Sequence, residues 1–494
     1  MTASAATSPV LWYSRAETVR SRSSTEVVST AHRLPPVIPT LRELRLSLHI
    51  FYAVIDMEPY RFTATQALSN IKDGSLTVEQ YARSLLSRIQ ERDATVQAWE
   101  HFDPQYVIEE AKRLDRIPPP DRGPLHGLPI AVKDIIHTKD MPTQYNSPIY
   151  RGDAPQLDAA SIIILRQAGA LLLGKTTTTE FASTQGGPKT CNPHDPTRTP
   201  GGSSSGSAAA VGDFQAPIGL GSQTGGSTIR PGSFNGIYAL KPTWNAISRE
   251  GLKFYSPTLD TIGFFARCVD DLELMADLFG LQDDDALEGE FTVKGAKFGV
   301  AKTVVWPQAG PGTKSALEAA VQLLRSHGAE VEEIELPPGF DRVPEWHSTL
   351  LHGEGRVTFL SEYRLAHEKL SPFLVGHVEN VNGVSRAAHL EAYDEIAALR
   401  PKIDRIAKDY AAILTPSVID EAPVGTASTG SLAFNVIWTA LHTPVVNIPG
   451  FKGGSGLPIG ISLVAPRYHD RHLLAVAKAV GSIFESEGGW ERKG

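Results

Sequence analysis

From residue 77 onward the apolar positions fall into regular spacings. Val78, Tyr81, Ala82, Leu85, Leu86 and Ile89 trace a helical stripe, and Thr77 followed three residues later by Gln80 is a capping-box start. Residues 128–132 and 135–136 form a short apolar run with β-branched members, which predicts a buried strand around Lys133. A helix is expected to begin at Asp158 and run through 162–167, with Gly169 ending it and 170–173 forming the next strand. Strand–helix–strand succession recurs at 298–301, 314–326 and 330–334. Alternation of this kind predicts an α/β protein whose sheet is covered on both faces, and no internal repeat of fixed period is visible.

Residues 199–236 break that rhythm. Gly, Ser, Ala and Thr dominate, yet Val211, Phe214, Ile229, Phe234 and Ile237 are interleaved among them. A plain linker has no need of apolar anchors, so backbone packed tightly around a site is expected here. Residues 280–400 are more charged and helical, and read as a covering or specificity segment over a catalytic core at 120–270. The first 56 residues stand apart, with six arginines, no lysine and few acids. They are expected to be a variable, disordered extension ahead of a main domain at 57–494, with a transit-like segment as the other reading.

Composition narrows the class. Hydrophobic residues at 41% and charged residues at 21% exclude global disorder. A net charge of −8 gives no electrostatic footprint for nucleic acid or an anionic membrane. Two cysteines, Cys191 and Cys268, cannot build a disulfide framework or a four-thiolate metal site, so a reducing compartment is expected. The apolar stretch at 48–55, interrupted by His49, is too short to span a bilayer.

Three segments invite chemistry. Residues 169–176 (GALLLGKT) match P-loop spacing, but the strand falls on 171–173, where a phosphate loop needs free amides, so nucleotide binding is not expected. Residues 202–206 (GSSSG) match a nucleophile elbow centred on Ser204. The preceding 193–200 is rich in proline and charge and is no strand, which leaves an α/β-hydrolase as a runner-up. Residues 220–230 (LGSQTGGSTIR) read as a strand end, a glycine turn and a helix start. That turn would leave consecutive N–H groups free to hold an oxyanion, with Ser227 set to be the nucleophile; a plain turn with a capping serine has the same pattern. Burial would make Lys133 a neutral base, unless it pairs with Asp134 or another acid. Ser203, whose hydroxyl both donates and accepts, can relay a proton between Lys133 and Ser227.

The segments 127–134 (GLPIAVKD), 174–182 (GKTTTTEFA), 200–206 (PGGSSSG) and 223–227 (QTGGS) resemble the amidase signature family. The resemblance continues in order through 230–236, 240–243, 260–263, 415–417, 434–440 and 456–460, covering about 57–490. It implies a single α/β/α domain around a large mixed sheet, hydrolysing linear carboxylic amides without metal or organic cofactor. It further implies Ser227 as acylated nucleophile, Ser203 after a cis peptide as bridging serine, and Lys133 as base. The amides of Thr224, Gly225, Gly226 and Ser227 would form the oxyanion hole, with Ser204 bracing the bridging serine.

Gln223, where many members carry Asp, together with Arg230 looks more like the malonamidase branch; Thr177 stands where many have Asn. Gln223 and Arg230 are therefore substrate-binding candidates, Arg230 toward a carboxylate or another acceptor, with an ion-paired anchor as its other reading. These departures count against a tRNA-dependent role. The expected function is an amidohydrolase releasing ammonia or an amine from an acyl-Ser227 intermediate; the alternative is the glutaminase component of a glutamyl-tRNA amidotransferase-like complex. Expected partners are a small-molecule amide, no nucleic acid, no membrane, and at most a second copy in a homodimer. The expected compartment is the cytoplasm, or the mitochondrion if 1–56 act as a transit segment.

Overall fold

The computed structural model describes residues 58–183, 186–285 and 289–492; the extension expected at 1–56 lies outside them. Eleven strands among these residues form one mixed sheet. They are β1 (Trp99–Phe102), β2 (Pro129–Lys133), β3 (Leu171–Thr176), β4 (Ile218–Gln223), β5 (Tyr238–Lys241) and β6 (Thr261–Ala266), then β7 (Lys297–Val300), β8 (Glu330–Glu333), β9 (Ala412–Pro416), β10 (Val445–Lys452) and β11 (Pro458–Val464). Their order across the sheet is β1-β3-β2-β4-β6-β5-β10-β11-β9-β7-β8. β2 runs parallel to β3 and β4, whereas β4 is antiparallel to β6 and β10 is antiparallel to both β5 and β11.

Side-chain alternation shows that both faces are covered, as the sequence predicts. Ile130 and Val132 of β2 pack into one apolar cluster, while Ala131 packs into another beneath the helices Ala64–Asp73, Val78–Val96 and Pro104–Asp115. At the other end of the sheet Leu414, Val446 and Leu463 join the first cluster, and Ile413, Val445 and Val464 face the helices Val343–Thr358 and Arg386–Ala407. The molecule is a single α/β domain.

Most local expectations are met. Thr77 and Gln80 close the expected capping box. Gly169 ends its helix at φ +85°, a conformation that favours glycine. The helix expected at Asp158 starts at Ala160, because the Asp158 carboxylate turns to Lys139 N (2.9 Å) and the Arg166 side chain (3.1 Å). The strand inside the P-loop-like segment is real and spans Leu171–Thr176. Residues 280–400 are less uniformly helical than expected, since β7 and β8 place part of that segment in the sheet itself. No helix among the described residues is long and apolar enough to cross a membrane.

Candidate active site

The site forms where β2, β4 and the glycine-rich segment meet. The helix Ser205–Gly212 lies so close to β4 that a Cβ at Gly221 would meet Ser204 Oγ at 2.8 Å. Small residues at these positions let backbone approach backbone. Lys133, at the end of β2, is fully buried, with Nζ 2.7 Å from Ser203 Oγ and 2.9 Å from Ser222 Oγ. Burial pushes its ammonium well below the ordinary lysine range, against the opposing pull of the Asp260 carboxylate. The expected ion pair with Asp134 is absent: Asp134 Oδ1 faces Lys175 Nζ at 3.2 Å instead.

Ser203 and Ser227 line one cavity of about 320 Å³, together with Thr224, Gly225 and Arg230. The Gly202–Ser203 peptide is cis. Among the described residues no hydrogen bond takes the N–H of Gly225, Gly226 or Ser227, leaving the turn with free donors beside the nucleophile candidate. The turn's carbonyls, in contrast, are anchored: His347 Nε2 donates to Thr224 O at 2.9 Å, and Thr439 Oγ1 donates to Gly225 O at 2.7 Å. In a trans peptide the N–H opposes the C=O, so each anchored carbonyl aims the following amide the other way. The Thr224 hydroxyl donates to Asp260, whose other oxygen accepts from Tyr255 N (2.7 Å) and Ser256 N (3.1 Å). Burial raises the Asp260 carboxyl to about 6. His347, fully enclosed, is lowered by burial to about 4, so it stays neutral near pH 7 and carries its proton on Nε2.

Three candidates sit differently from what the sequence suggested. Ser204 does not bond Ser203; its Oγ donates to Ser222 O (3.1 Å) and accepts from Ser222 N (3.2 Å), bracing the strand that presents Ser222 to Lys133. Gln223 does not reach the cavity. Its Oε1 accepts from Thr228 N and Ile229 N at 2.9 and 3.0 Å, capping the following helix, and its Nε2 donates to Thr439 Oγ1 at 3.0 Å. Arg230 lines the cavity, but its guanidinium donates to Gly430 O (2.6 Å), Gly202 O (2.6 Å) and Thr429 Oγ1 (3.1 Å), with no carboxylate paired to it among the described residues. Burial lowers it to about 9.

Sequence reasoning missed Ser222, Asp260, His347 and Thr439 as parts of this site. Asp260 lay within a recognised segment without a role, and Ser222 stood one residue before Gln223. His347 carried no signal, being one of 15 histidines. Among the described residues no cluster of His, Cys, Asp and Glu could hold a metal ion.

The family model named Amidase matches residues 80–474. The chain belongs to the amidase family. A curated relative from Symbiobacterium thermophilum, the GatA-type chain of glutamyl-tRNA(Gln) amidotransferase, is 33% identical over 467 residues, covering 83% of this chain and 94% of that one. The protein of the same description from Koribacter versatilis is 31% identical over 461 residues, covering 83% and 96%. Among solved structures, the native peptide amidase from Stenotrophomonas maltophilia matches with a TM-score of 0.72 at 26% identity, covering 86% of this chain and 97% of that one. These relatives overturn one expectation: a small molecule as sole partner, with no nucleic acid, does not hold when such similar chains are named as subunits of a tRNA amidotransferase. The low net charge misled because one chain of an assembly need not carry the basic surface itself.

Proposed function

We propose that this amidase-family enzyme cleaves carboxylic amides through an acyl-Ser227 intermediate. One observation carries the reading: a buried lysine without a carboxylate partner, 2.7 Å from a serine that shares its cavity with Ser227. A neutral amine has one lone pair, so Lys133 Nζ can accept from Ser203 while donating to Ser222. Ser227 Oγ attacks the amide carbon, its proton passing to Ser203 Oγ as the Ser203 proton passes to Lys133 Nζ. The free amides of the 224–227 turn hold the oxyanion. Collapse breaks the C–N bond, the leaving nitrogen takes the proton back, and water repeats the sequence to free the acid. Arg230, through Gly202 O and Gly430 O, keeps the Ser203 backbone and the 429–430 loop in place.

The test is a fluorophosphonate adduct mapped by peptide mass spectrometry. Label on Ser227, lost in Ser227→Ala, is the expected result; label on Ser204 with Ser227 unmodified sinks the assignment. The relatives' names favour a second reading, in which the same acyl-serine chemistry releases ammonia from glutamine for a tRNA amidotransferase assembly. Glutamine-dependent ammonia release that appears only on co-purification with partner chains would select it.

A further inference from the structure

We propose that the substrate of this site is an amide whose substituent is apolar, of aryl or short-alkyl size, and free of any ammonium group. The inference rests on the acyl-Ser227 reading and adds the substrate class. Beyond the nucleophile the cavity wall is built by Leu351, Phe373, Leu432 and Val436, closed by the ring of Tyr255. Its polar atoms are largely committed elsewhere. Tyr255 Oη donates to His377 Nε2 at 2.8 Å, so the ring presents its apolar body to the cavity. The His377 tautomer that allows this is fixed by Nδ1, which donates to Phe373 O at 2.8 Å. His347 directs its one proton to the oxyanion turn.

Charge decides between substrate classes. Among the described residues lining the cavity there is no Asp or Glu, and the one cation, Arg230, bonds two backbone carbonyls and a hydroxyl. Free glutamine carries an ammonium that would enter this cavity without a carboxylate and next to a guanidinium; stripping it of water there is heavily opposed. An aryl or alkyl group instead exchanges water for the wall. A volume of about 320 Å³ lies at the small end of ligand sites, enough for a ring and a short tether.

The experiment compares 3-phenylpropanamide with L-phenylalaninamide, which share a skeleton and differ by one ammonium, and adds L-glutamine, all on the purified full chain. Ser227 acylation is followed by intact mass and product release by kcat/KM. The neutral amide is expected to exceed both charged ones by about 100-fold or more. Leu351→Glu, which places a carboxylate in the wall, is expected to narrow the gap to L-phenylalaninamide; Leu351→Gln, of the same shape without charge, is not. If Ser227 is acylated but L-glutamine or L-phenylalaninamide matches or exceeds the neutral amide, the substrate class is overturned and the acyl-serine reading stands. If no amide acylates Ser227, that reading falls and this inference with it.

Discussion

Two lysines end neighbouring strands and are equally buried, yet their surroundings differ in one respect. Lys175 on β3 faces the Asp134 carboxylate at 3.2 Å and the Thr143 hydroxyl at 2.5 Å. Lys133 on β2 faces two serine hydroxyls and no carboxylate in contact. Burial lowers both, but the Asp134 charge holds Lys175 at about 8, while Lys133 falls well below the usual range. Burial raises Asp134 to about 6, so at pH 7 the Lys175–Asp134 pair is ionised. One fold thus holds a structural ammonium and a candidate base side by side, separated by the presence or absence of one carboxylate.

The largest effect is expected at Lys133. Lys133→Met should lower kcat by about 10²–10⁴-fold, the range of a general base. Its stability should carry an opposite signature. A lysine lowered in the folded state binds fewer protons folded than unfolded, so it adds stability as pH rises toward about 10.4, its unfolded value. Against Lys133→Met, the wild type should therefore gain stability with rising pH in thermal scans. A flat difference, with near-normal turnover, would make Lys133 structural like its neighbour.

Lys175→Met breaks the pair from the other side. It leaves Asp134 buried without its partner, an expected loss of about 3–5 kcal/mol. The deficit should shrink on acidification, because protonating a raised carboxyl removes its uncompensated charge. Denaturant unfolding at pH 5 and pH 8 measures this. A deficit independent of pH would show that Asp134 finds another counter-charge.

Why the sequence exposed one lysine better than the other is a matter of range. Lys133 interrupts an apolar strand, so its burial follows from local pattern, and the same holds for the Thr77 cap and the glycine turn at 224–227. The glycines of β4 likewise announced close packing, which Gly221 against Ser204 realises. What could not be seen were partners set by long-range pairing. Asp134, adjacent in sequence to Lys133, points to Lys175, because successive residues leaving a strand face opposite ways. Gln223 looked exposed to substrate, yet the helix starting five residues on needed its oxygen as a cap. His347 reaches Thr224 from 123 residues away, through a helix whose register no local signal fixes.

That contact gives the third test. His347→Phe frees the Thr224 carbonyl and lets the Gly225 amide turn away from the oxyanion; kcat should fall about 10–100-fold, less than deleting an oxyanion donor outright. KM should move less than kcat, since the turn acts on the transition state. His347→Gln, which keeps an N–H, should recover part of the loss. Equal losses in both variants, with lowered thermal stability, would mean the ring only fills space.

Ser222 offers the mildest intervention and the most direct one on the difference between the two lysines. Its hydroxyl is the second polar contact of Lys133 Nζ. A neutral amine donating to an oxygen and a protonated one doing so differ in strength, because bonds from a charged donor are about twice as strong. Ser222→Ala thus removes more stabilisation from the ammonium than from the free amine, and Lys133 should lose its proton more readily still. The acid limb of the kcat/KM–pH profile should shift to lower pH. Turnover near pH 7 should change only a few-fold, about 1 kcal/mol for one hydrogen bond. Ser222→Asp runs the change backwards: a carboxylate beside Nζ recreates the surroundings of Lys175, and the acid limb should move up in pH with activity at pH 7 falling. Should both variants leave that limb where the wild type has it, the limb does not report Lys133, and the contrast between the two lysines would be one of packing alone.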